Sequence, residues 1–274
     1  MSLLAPPPDA PVERGFRVRG AAPSRLEAFS DAVFAFAVTL LVVSLDVPRT
    51  FDELRGLMAG FVGFAFSFAM IVMLWRTHSR YFRRFGLDDG VTLWLNSILL
   101  FLVLFFVYPL KFLFTLVSSW FVGTEIFGDV RPMSAGQGPD LMLLYGGGFA
   151  AVFVVFGLMY ANALRLAAPL ALSPEERART QTEMEGQFLM AAIGLLSVWV
   201  AYLDSGVASA AGLVYFLIGP VLALHGYLVG RRRLARASSP PSAPPSAPTA
   251  DEAATEPRTE PAPPEASPLR APDG

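Results

Sequence analysis

The stretch RLEAFSDAVFAFAVTLLVVSLDVP, residues 25–48, is a long apolar run that opens with charged and polar side chains. Between Ala32 and Leu45 the polar side chains are those of Thr39 and Ser44. A run of about 20 apolar residues has the length that an α-helix needs to cross the hydrocarbon core of a bilayer. The stretch therefore predicts a membrane-spanning helix, and the polar groups at its start raise the question of what they contact.

The composition of the whole chain indicates the same environment. Of the 274 residues, 54% are hydrophobic and 16% are charged, whereas soluble domains carry about 25% charged residues. Lipid offers the backbone no hydrogen-bond partner, so long apolar runs are predicted to be helices. We therefore predict an all-α integral membrane protein with six transmembrane helices, near residues 28–47, 56–75, 91–110, 141–162, 186–203 and 207–229.

Basic residues predict the orientation of these spans, because loops rich in arginine and lysine remain in the cytoplasm. Arginines cluster before span 1, between spans 2 and 3, between spans 4 and 5, and after span 6. The loops on the other side carry few basic residues, which are Arg49, Arg55, Lys111 and Arg131. Both termini are therefore predicted to be cytoplasmic, in agreement with an even number of spans.

The chain divides into one membrane domain and two tails. Residues 25–233 form the predicted six-helix domain, preceded by a cytoplasmic tail over 1–24, of which residues 1–20 are expected to be disordered. Residues 234–274 are rich in proline and lack core-forming residues, so they are predicted to be a disordered cytoplasmic tail. The apolar segment 112–127 follows a complete span and is expected either to lie along the outer surface or to extend span 3.

Several polar side chains share one layer near the cytoplasmic side of the predicted bundle. Ser30 and Asp31 lie one turn inside span 1, His78 lies just past span 2, and Asn96 lies five residues into span 3. Groups of this kind are rare in membranes and usually face the bundle interior or water. We interpret the carboxylate, imidazole and amide as a structural clamp between three helices, while a proton relay, an ion site and interfacial solvation remain alternatives.

Span 1 has two distinct faces. At about 100° per residue, Ala32, Phe36, Thr39 and Val43 fall on one face, and Asp31 points more than about 90° away from it. Ordinary helix packing explains such a stripe without further assumptions, and a pore lining is the alternative.

Other functional classes lack support in the sequence. The chain has two histidines and no cysteine, and it contains no HExxH motif and no phosphate-binding loop. The glycines at 146, 147, 148 and 157 fall inside span 4, where they indicate close helix packing. We therefore expect no enzymatic activity, no metal site and no cofactor, and no nucleic-acid binding, because membrane topology accounts for each basic cluster.

The chain carries three motifs in order along the first three spans: RLEAFSD at residues 25–31, WRTHSRYF at 75–82 and LWLN at 93–96. Together they resemble the signature of the transmembrane protein 175 family, the lysosomal and bacterial potassium channels. The resemblance extends over roughly residues 25–230. The family's Arg-x-x-x-Phe-Ser-Asp motif is matched in span 1, and two shorter motifs follow at the end of span 2 and early in span 3. The matching residues are Arg25, Phe29, Ser30 and Asp31, then Trp75 and His78 in WRTHSRYF, and then Asn96 in LWLN.

The resemblance implies six-helix subunits that assemble as a homotetramer, with helix 1 lining a central pore. In the family, a bulky aliphatic ring five positions after the motif Asp forms the constriction, followed by a threonine ring and a second apolar ring. Those positions are Phe36, Thr39 and Val43 in this chain. Phe36 departs from the usual Ile or Leu, which implies a pore that is tighter, differently selective or normally closed.

The function that the resemblance implies is a potassium channel that selects ions without a carbonyl filter. It would pass K⁺ and other monovalent cations across a bacterial plasma membrane. The alternative is a proton-coupled secondary transporter that uses Asp31 and His78. The spans show neither the broken helices nor the inverted repeat that such transporters usually carry.

Overall fold

The structure is a computed structural model that describes residue 6 and residues 10–13, 15–20, 22–43, 47–59, 61–122, 137–203 and 208–237. At 56, 59, 114–122, 208–210 and 232–237 it describes the backbone alone. The elements, in chain order, are β1 (Val12–Glu13), β2 (Phe16–Arg17), α1 (Arg25–Val43), α2 (Phe51–Ala59), α3 (Phe61–Phe85), α4 (Gly90–Val122), α5 (Gln137–Arg165), α6 (Pro174–Leu203), α7 (Ala208–Leu213), a 3₁₀ turn (Val214–Leu217) and α8 (Ile218–Ala237). The chain forms two units, residues 1–230 and 231–274.

Six helical segments in the described part of the chain are long and apolar enough to cross a membrane. They are Arg25–Val43, Phe61–Phe85, Gly90–Leu113, Gln137–Arg165, Pro174–Leu203 and Ala211–Arg231. The prediction of an all-α integral membrane protein with six transmembrane helices is confirmed. The second span begins later than predicted, because the separate amphipathic helix α2 occupies residues 51–59. The fifth begins earlier, at Pro174, because its charged first turns find partners.

The helices pack in a simple order that places α1 at one side of the bundle. Helix α1 packs on α3 and α4, and α5 packs on α4 and α6. Apolar side chains from these helices form one continuous core. Because lipid is as apolar as the side chains, close van der Waals packing rather than the hydrophobic effect holds membrane helices together. One side of α1 has no packed neighbour among the helices that the structure describes.

Helices α5 and α6 cross with their backbones in contact at two glycines. A Cβ atom placed on Gly146 would lie 2.9 Å from the carbonyl oxygen of Gly194, and one placed on Gly194 would lie 2.9 Å from the carbonyl oxygen of Gly146. The predicted close packing is confirmed at Gly146, at Gly148, whose Cβ would meet the ring of Phe106, and at Gly157, whose Cβ would meet the ring of Phe188 at 2.8 Å. Gly147 has open space beside it, so the expectation is wrong there.

Residues 10–13 and 15–20, which we call the N-terminal hairpin, correct the expectation of disorder over residues 1–20. Strands β1 and β2 pair antiparallel, and the side chains of Phe16 and Val18 are buried. The buried side chains of Arg19 and Glu176 form an ion pair of 3.0 Å. Composition suggested disorder because it does not reveal that the side chains of Glu13, Phe16 and Arg19 bind α3 and α6. Residues 1–5, 7–9 and 14 lie outside the described part.

The segment 112–127 continues the helix of the third span as far as the structure describes it. Helix α4 runs without interruption through Pro109 to Val122, and residues 123–127 lie outside the described part. The Tyr145 hydroxyl donates a hydrogen bond to the carbonyl oxygen of Pro109, which ties the proline turn to α5. At the other end of the chain, α8 extends to Ala237, and the remainder of the tail lies outside the described residues.

Candidate functional site

Helix α1 carries a buried face that fixes its position in the subunit. Ser30, Phe34, Ala37 and Leu41 are buried, and their spacing of four, three and four residues places them on one side of the helix. Helices α3 and α4 pack against α1. The sequence alone did not reveal this face, because the residues between Ala32 and Val43 are almost uniformly apolar.

One hydroxyl, one amide and one imidazole join the three helices; we call Ser30, His78 and Asn96 the polar node. The Ser30 hydroxyl donates to the carbonyl oxygen of Leu26 at 2.8 Å, so its oxygen accepts a hydrogen bond of 2.8 Å from the Asn96 amide nitrogen. This leaves the Asn96 carbonyl oxygen to accept from His78 Nε2, also at 2.8 Å. All three side chains are fully buried. The chain of bonds thus connects α1, α4 and α3.

The imidazole of His78 is held by packing on its other side. Its Nδ1 atom is buried and has no hydrogen-bond partner among the described residues. The ring centroid lies 5.4 Å from that of Phe34 and 4.6 Å from that of Phe82. A proton relay needs hydrogen bonds on both sides of the ring, so this geometry favours a structural link.

Asp31 lies outside the polar node, which corrects the predicted cluster of carboxylate, imidazole and amide. Its carboxylate accepts a hydrogen bond of 2.8 Å from the indole nitrogen of Trp75. Ser30 takes its place beside Asn96, because consecutive residues of a helix point about 100° apart and only one of them can face the interior. Asp31 and Trp75 form a second bond between α1 and α3, nearer the surface of the subunit.

The remaining residues of the first motif face outward. The side chain of Arg25 is exposed and forms no ion pair with the residues that the structure describes. Phe29 is also exposed. The structure therefore gives these two side chains no partner within the subunit's described part.

The three predicted pore residues lie on the exposed face of α1. Phe36 is 55% exposed, and Val43 is exposed as well. Thr39 is exposed, and its hydroxyl donates to the carbonyl oxygen of Ala35 at 2.9 Å. An exposed apolar face on a transmembrane helix faces lipid or the surface of another protein, and hydroxyl-bearing residues are frequent where membrane helices pack on each other.

A further polar cluster at the start of α4 was not predicted from the sequence. The Thr92 hydroxyl donates to Asp89 at 2.6 Å, and the amide nitrogen of Asn162 lies 3.2 Å from both Asp89 carboxylate oxygens. Burial raises the pKa of Asp89, but these hydrogen bonds outweigh burial and hold the pKa below its ordinary value. An aspartate before a helical run is a common N-cap, yet its partner from α5 is distant in sequence.

Comparison with known proteins identifies relatives of this arrangement. Residues 25–109 match the family model described as "Endosomal/lysosomal potassium channel TMEM175". A potassium channel of Marivirga tractuosa is 37% identical over 228 residues, which cover 79% of this chain and 92% of the relative. A potassium channel of Chamaesiphon minutus is 31% identical over 191 residues, covering 65% of this chain and 86% of the relative.

A solved structure has the same fold. The crystal structure of a variant of the potassium channel MtTMEM175, in complex with a nanobody–MBP fusion protein, superimposes with a TM-score of 0.71. The match is 35% identical and covers 80% of this chain and 99% of that chain. The similarity thus extends over nearly the whole of the solved channel subunit.

Proposed function

Because the chain belongs to the transmembrane protein 175 family, we propose that it is a potassium-permeable cation channel in which helix α1 lines the ion path. Relatives that are described as potassium channels support the choice of K⁺ as the permeant ion. The proposed assembly is a homotetramer in a bacterial plasma membrane, with both termini in the cytoplasm. The arginines at the ends of the spans support that orientation.

The observation that carries the pore assignment is the division of α1 into two faces. Ser30, Phe34 and Leu41 are packed inside the subunit, whereas Phe36 and Val43 on the other side are exposed. Four copies of this exposed face around a central axis would form rings at Phe36, Thr39 and Val43. In this arrangement each subunit contributes one side chain to each ring.

Such rings suggest how the channel selects and gates. A narrow apolar ring strips water from an ion without replacing it, and it closes a pore by dewetting. Phe36 would form the constriction, and its ring faces would attract cations. The proton of the Thr39 hydroxyl is donated to Ala35, so the oxygen lone pairs remain available to a passing cation.

The polar node would act as the support of the pore. It fixes the rotation of α1 about its own axis, because Ser30 can meet Asn96 in one orientation only. Asp31 and Trp75 add a second bond between α1 and α3. The rotation of α1 then decides which side chains face the axis.

A proton-coupled transporter is the less favoured function. Within the described part of the chain, Asp31 and His78 share no hydrogen bond, because Asp31 binds Trp75 and His78 binds Asn96. The two groups therefore lack the direct connection that a relay through them requires.

The test is the ion selectivity of the purified protein in planar bilayers. A channel is expected to give unitary current steps and a reversal potential near the K⁺ value under a K⁺ gradient. Phe36→Ala is expected to widen the constriction, raise the current and move the K⁺–Na⁺ reversal potential towards zero. Phe105→Ala on α4 is a matched control, because Phe105 is also 55% exposed on a transmembrane helix.

The outcomes separate the pore from ordinary packing. If Phe36→Ala and Phe105→Ala both leave the reversal potential unchanged, Phe36 faces lipid and the assignment of the constriction fails. Electroneutral exchange of K⁺ for protons, without unitary currents, would instead support the transporter.

A further inference from the structure

A cavity with charged and apolar lining residues lies between the N-terminal hairpin and the arginine-rich end of α3. Its volume is about 400 Å³. Phe16, Val18 and Trp75 form an apolar part of its lining, and Glu13, Ser79 and four arginines from the last turns of α3 form the rest. The cavity is separate from the polar node and from the exposed face of α1.

Two of the arginines that line the cavity are neutralised by carboxylates. Arg83 pairs with Glu13 of the N-terminal hairpin. Arg84 pairs with Glu183 of α6 at 2.7 Å, and its guanidinium stacks over the ring of Phe16 at 4.3 Å. These bonds hold the hairpin on α3 and form one wall of the cavity.

The other polar groups of the lining have no such partners. Arg76 and Arg80 form no ion pair with any residue that the structure describes, and Arg80 is half-buried. The hydroxyl of Ser79 forms no hydrogen bond within that part of the chain either, although Ser67 and Thr77 on the same helix donate to the carbonyl four residues earlier. Consecutive turns of α3 thus present two guanidinium groups and a hydroxyl to one cavity.

We propose that this cavity binds a phosphate group through Arg76, Ser79 and Arg80. A guanidinium group can bind two phosphate oxygens at once through charge-assisted hydrogen bonds. A phosphate has enough oxygens to accept hydrogen bonds from all three side chains. Its negative charge would offset Arg76 and Arg80, which form no ion pair with a described residue, whereas Glu13 of the lining binds Arg83. The proposal rests on this cavity alone and does not depend on the pore assignment.

The phosphate could come from a lipid headgroup or from solution. The cavity follows the apolar part of α3, and Trp75 at its edge is a residue type that is enriched at the membrane interface. Phosphatidic acid presents its phosphate at that depth, whereas inorganic phosphate would enter from the solvent. Both sources use the same guanidinium and hydroxyl donors.

The experiment measures binding of each source to the full-length protein. Purified protein in neutral detergent micelles is titrated with phosphatidic acid, with phosphatidylcholine and with inorganic phosphate, and occupancy is read by native mass spectrometry. The double substitution Arg76→Gln and Arg80→Gln is expected to weaken binding by about tenfold or more, since two charge-assisted hydrogen-bonding groups are lost. Arg177→Gln is the matched control, because Arg177 is exposed on the first turn of α6 and outside the cavity.

The variants distinguish specific binding of phosphate in the cavity from general attraction of an anion to the positively charged surface. Ser79→Asp places a carboxylate among the donors while keeping both arginines, and it is expected to abolish binding even if the double variant fails to fold. Saturable binding of phosphatidic acid that phosphate does not displace supports the lipid source. Displacement by phosphate at equal concentration supports the site with a soluble ligand. Equal binding by wild type and the cavity variants, or an equal loss in Arg177→Gln, would overturn the proposal.

Discussion

The Nε2 atom of His78 lies 2.8 Å from the Oδ1 atom of Asn96, in a layer of the bundle where neither side chain reaches solvent. This bond joins α3 to α4, and the Asn96 amide nitrogen extends the connection to Ser30 on α1. A buried polar group is costly when its partner is removed. The node therefore restricts the ways in which three transmembrane helices pack together.

Asn96→Ala is expected to lower the stability of the folded protein. The change leaves the Ser30 oxygen without its donor and His78 Nε2 without its acceptor, and each unsatisfied buried group costs about 1–3 kcal/mol. Thermal unfolding in detergent measures the loss. Ser97→Ala is the control, because the exposed Ser97 hydroxyl bonds to the Leu93 carbonyl of its own helix and to no other described residue. Equal melting temperatures for the two variants would contradict a structural role for the node.

Asp31→Ala is expected to reduce the yield of folded, assembled protein more than it changes ion selectivity. It removes the acceptor for the Trp75 indole, whereas Asp31→Asn retains a carbonyl oxygen at that position and is expected to preserve most of the yield. Size-exclusion chromatography and the K⁺–Na⁺ reversal potential measure the two effects. Normal yield combined with altered ion preference would place Asp31 in the ion path.

Glu176→Ala is expected to detach the N-terminal hairpin. The Glu176 carboxylate binds the Arg19 guanidinium and the backbone nitrogens of Arg17 and Ser173. Removing one partner of a buried ion pair costs about 3–5 kcal/mol. Limited proteolysis near residues 15–20 reads out the detachment. Glu185→Ala, which removes a carboxylate bound to Gln181 further along α6, is expected to change the cleavage rate little; faster cleavage in both variants alike would refute the anchoring role.

Acid is expected to weaken the start of α4 through Asp89. Its folded-state pKa is depressed, so the stabilisation is present above the unfolded pKa of about 3.9 and is lost as the pH falls through the folded value. The melting temperature of the wild type should therefore drop below about pH 4, and Asp89→Asn should remove part of that drop. Asp88→Asn is the control, because Asp88 is exposed on the same loop. An unchanged acid slope in Asp89→Asn would refute the assignment.

The number of spans was predictable from hydropathy. Long apolar runs indicate segments surrounded by lipid, and in lipid such a segment satisfies its backbone hydrogen bonds as a helix. The faces of α1 were harder to predict. Ser30 and Asp31 are adjacent and both polar, so the sequence does not reveal which of them turns inward. That choice depends on where Asn96 and Trp75 lie on the neighbouring helices.

Contacts between distant parts of the chain account for what the sequence did not reveal. The N-terminal hairpin has a composition typical of a tail, and Arg19 meets Glu176 only after α5 and α6 have folded back. Asn162 of α5 likewise contacts Asp89, which precedes α4 and is far from it in sequence. Each of these pairs joins one polar residue from each of two segments. The sequence of either segment alone does not indicate which residue the other will contribute.

The crossing of Gly146 and Gly194 has a consequence for how this sequence can change over time. A methyl group at either position would press on a backbone carbonyl, which cannot rotate away as a side chain can. Even alanine, the smallest replacement, is therefore unfavourable at either position, although the side chains beside them, those of Phe149, Val198 and Tyr215, could be exchanged. The two helices would have to move apart before either glycine could be replaced. We therefore expect Gly146 and Gly194 to be among the most slowly changing positions in related sequences.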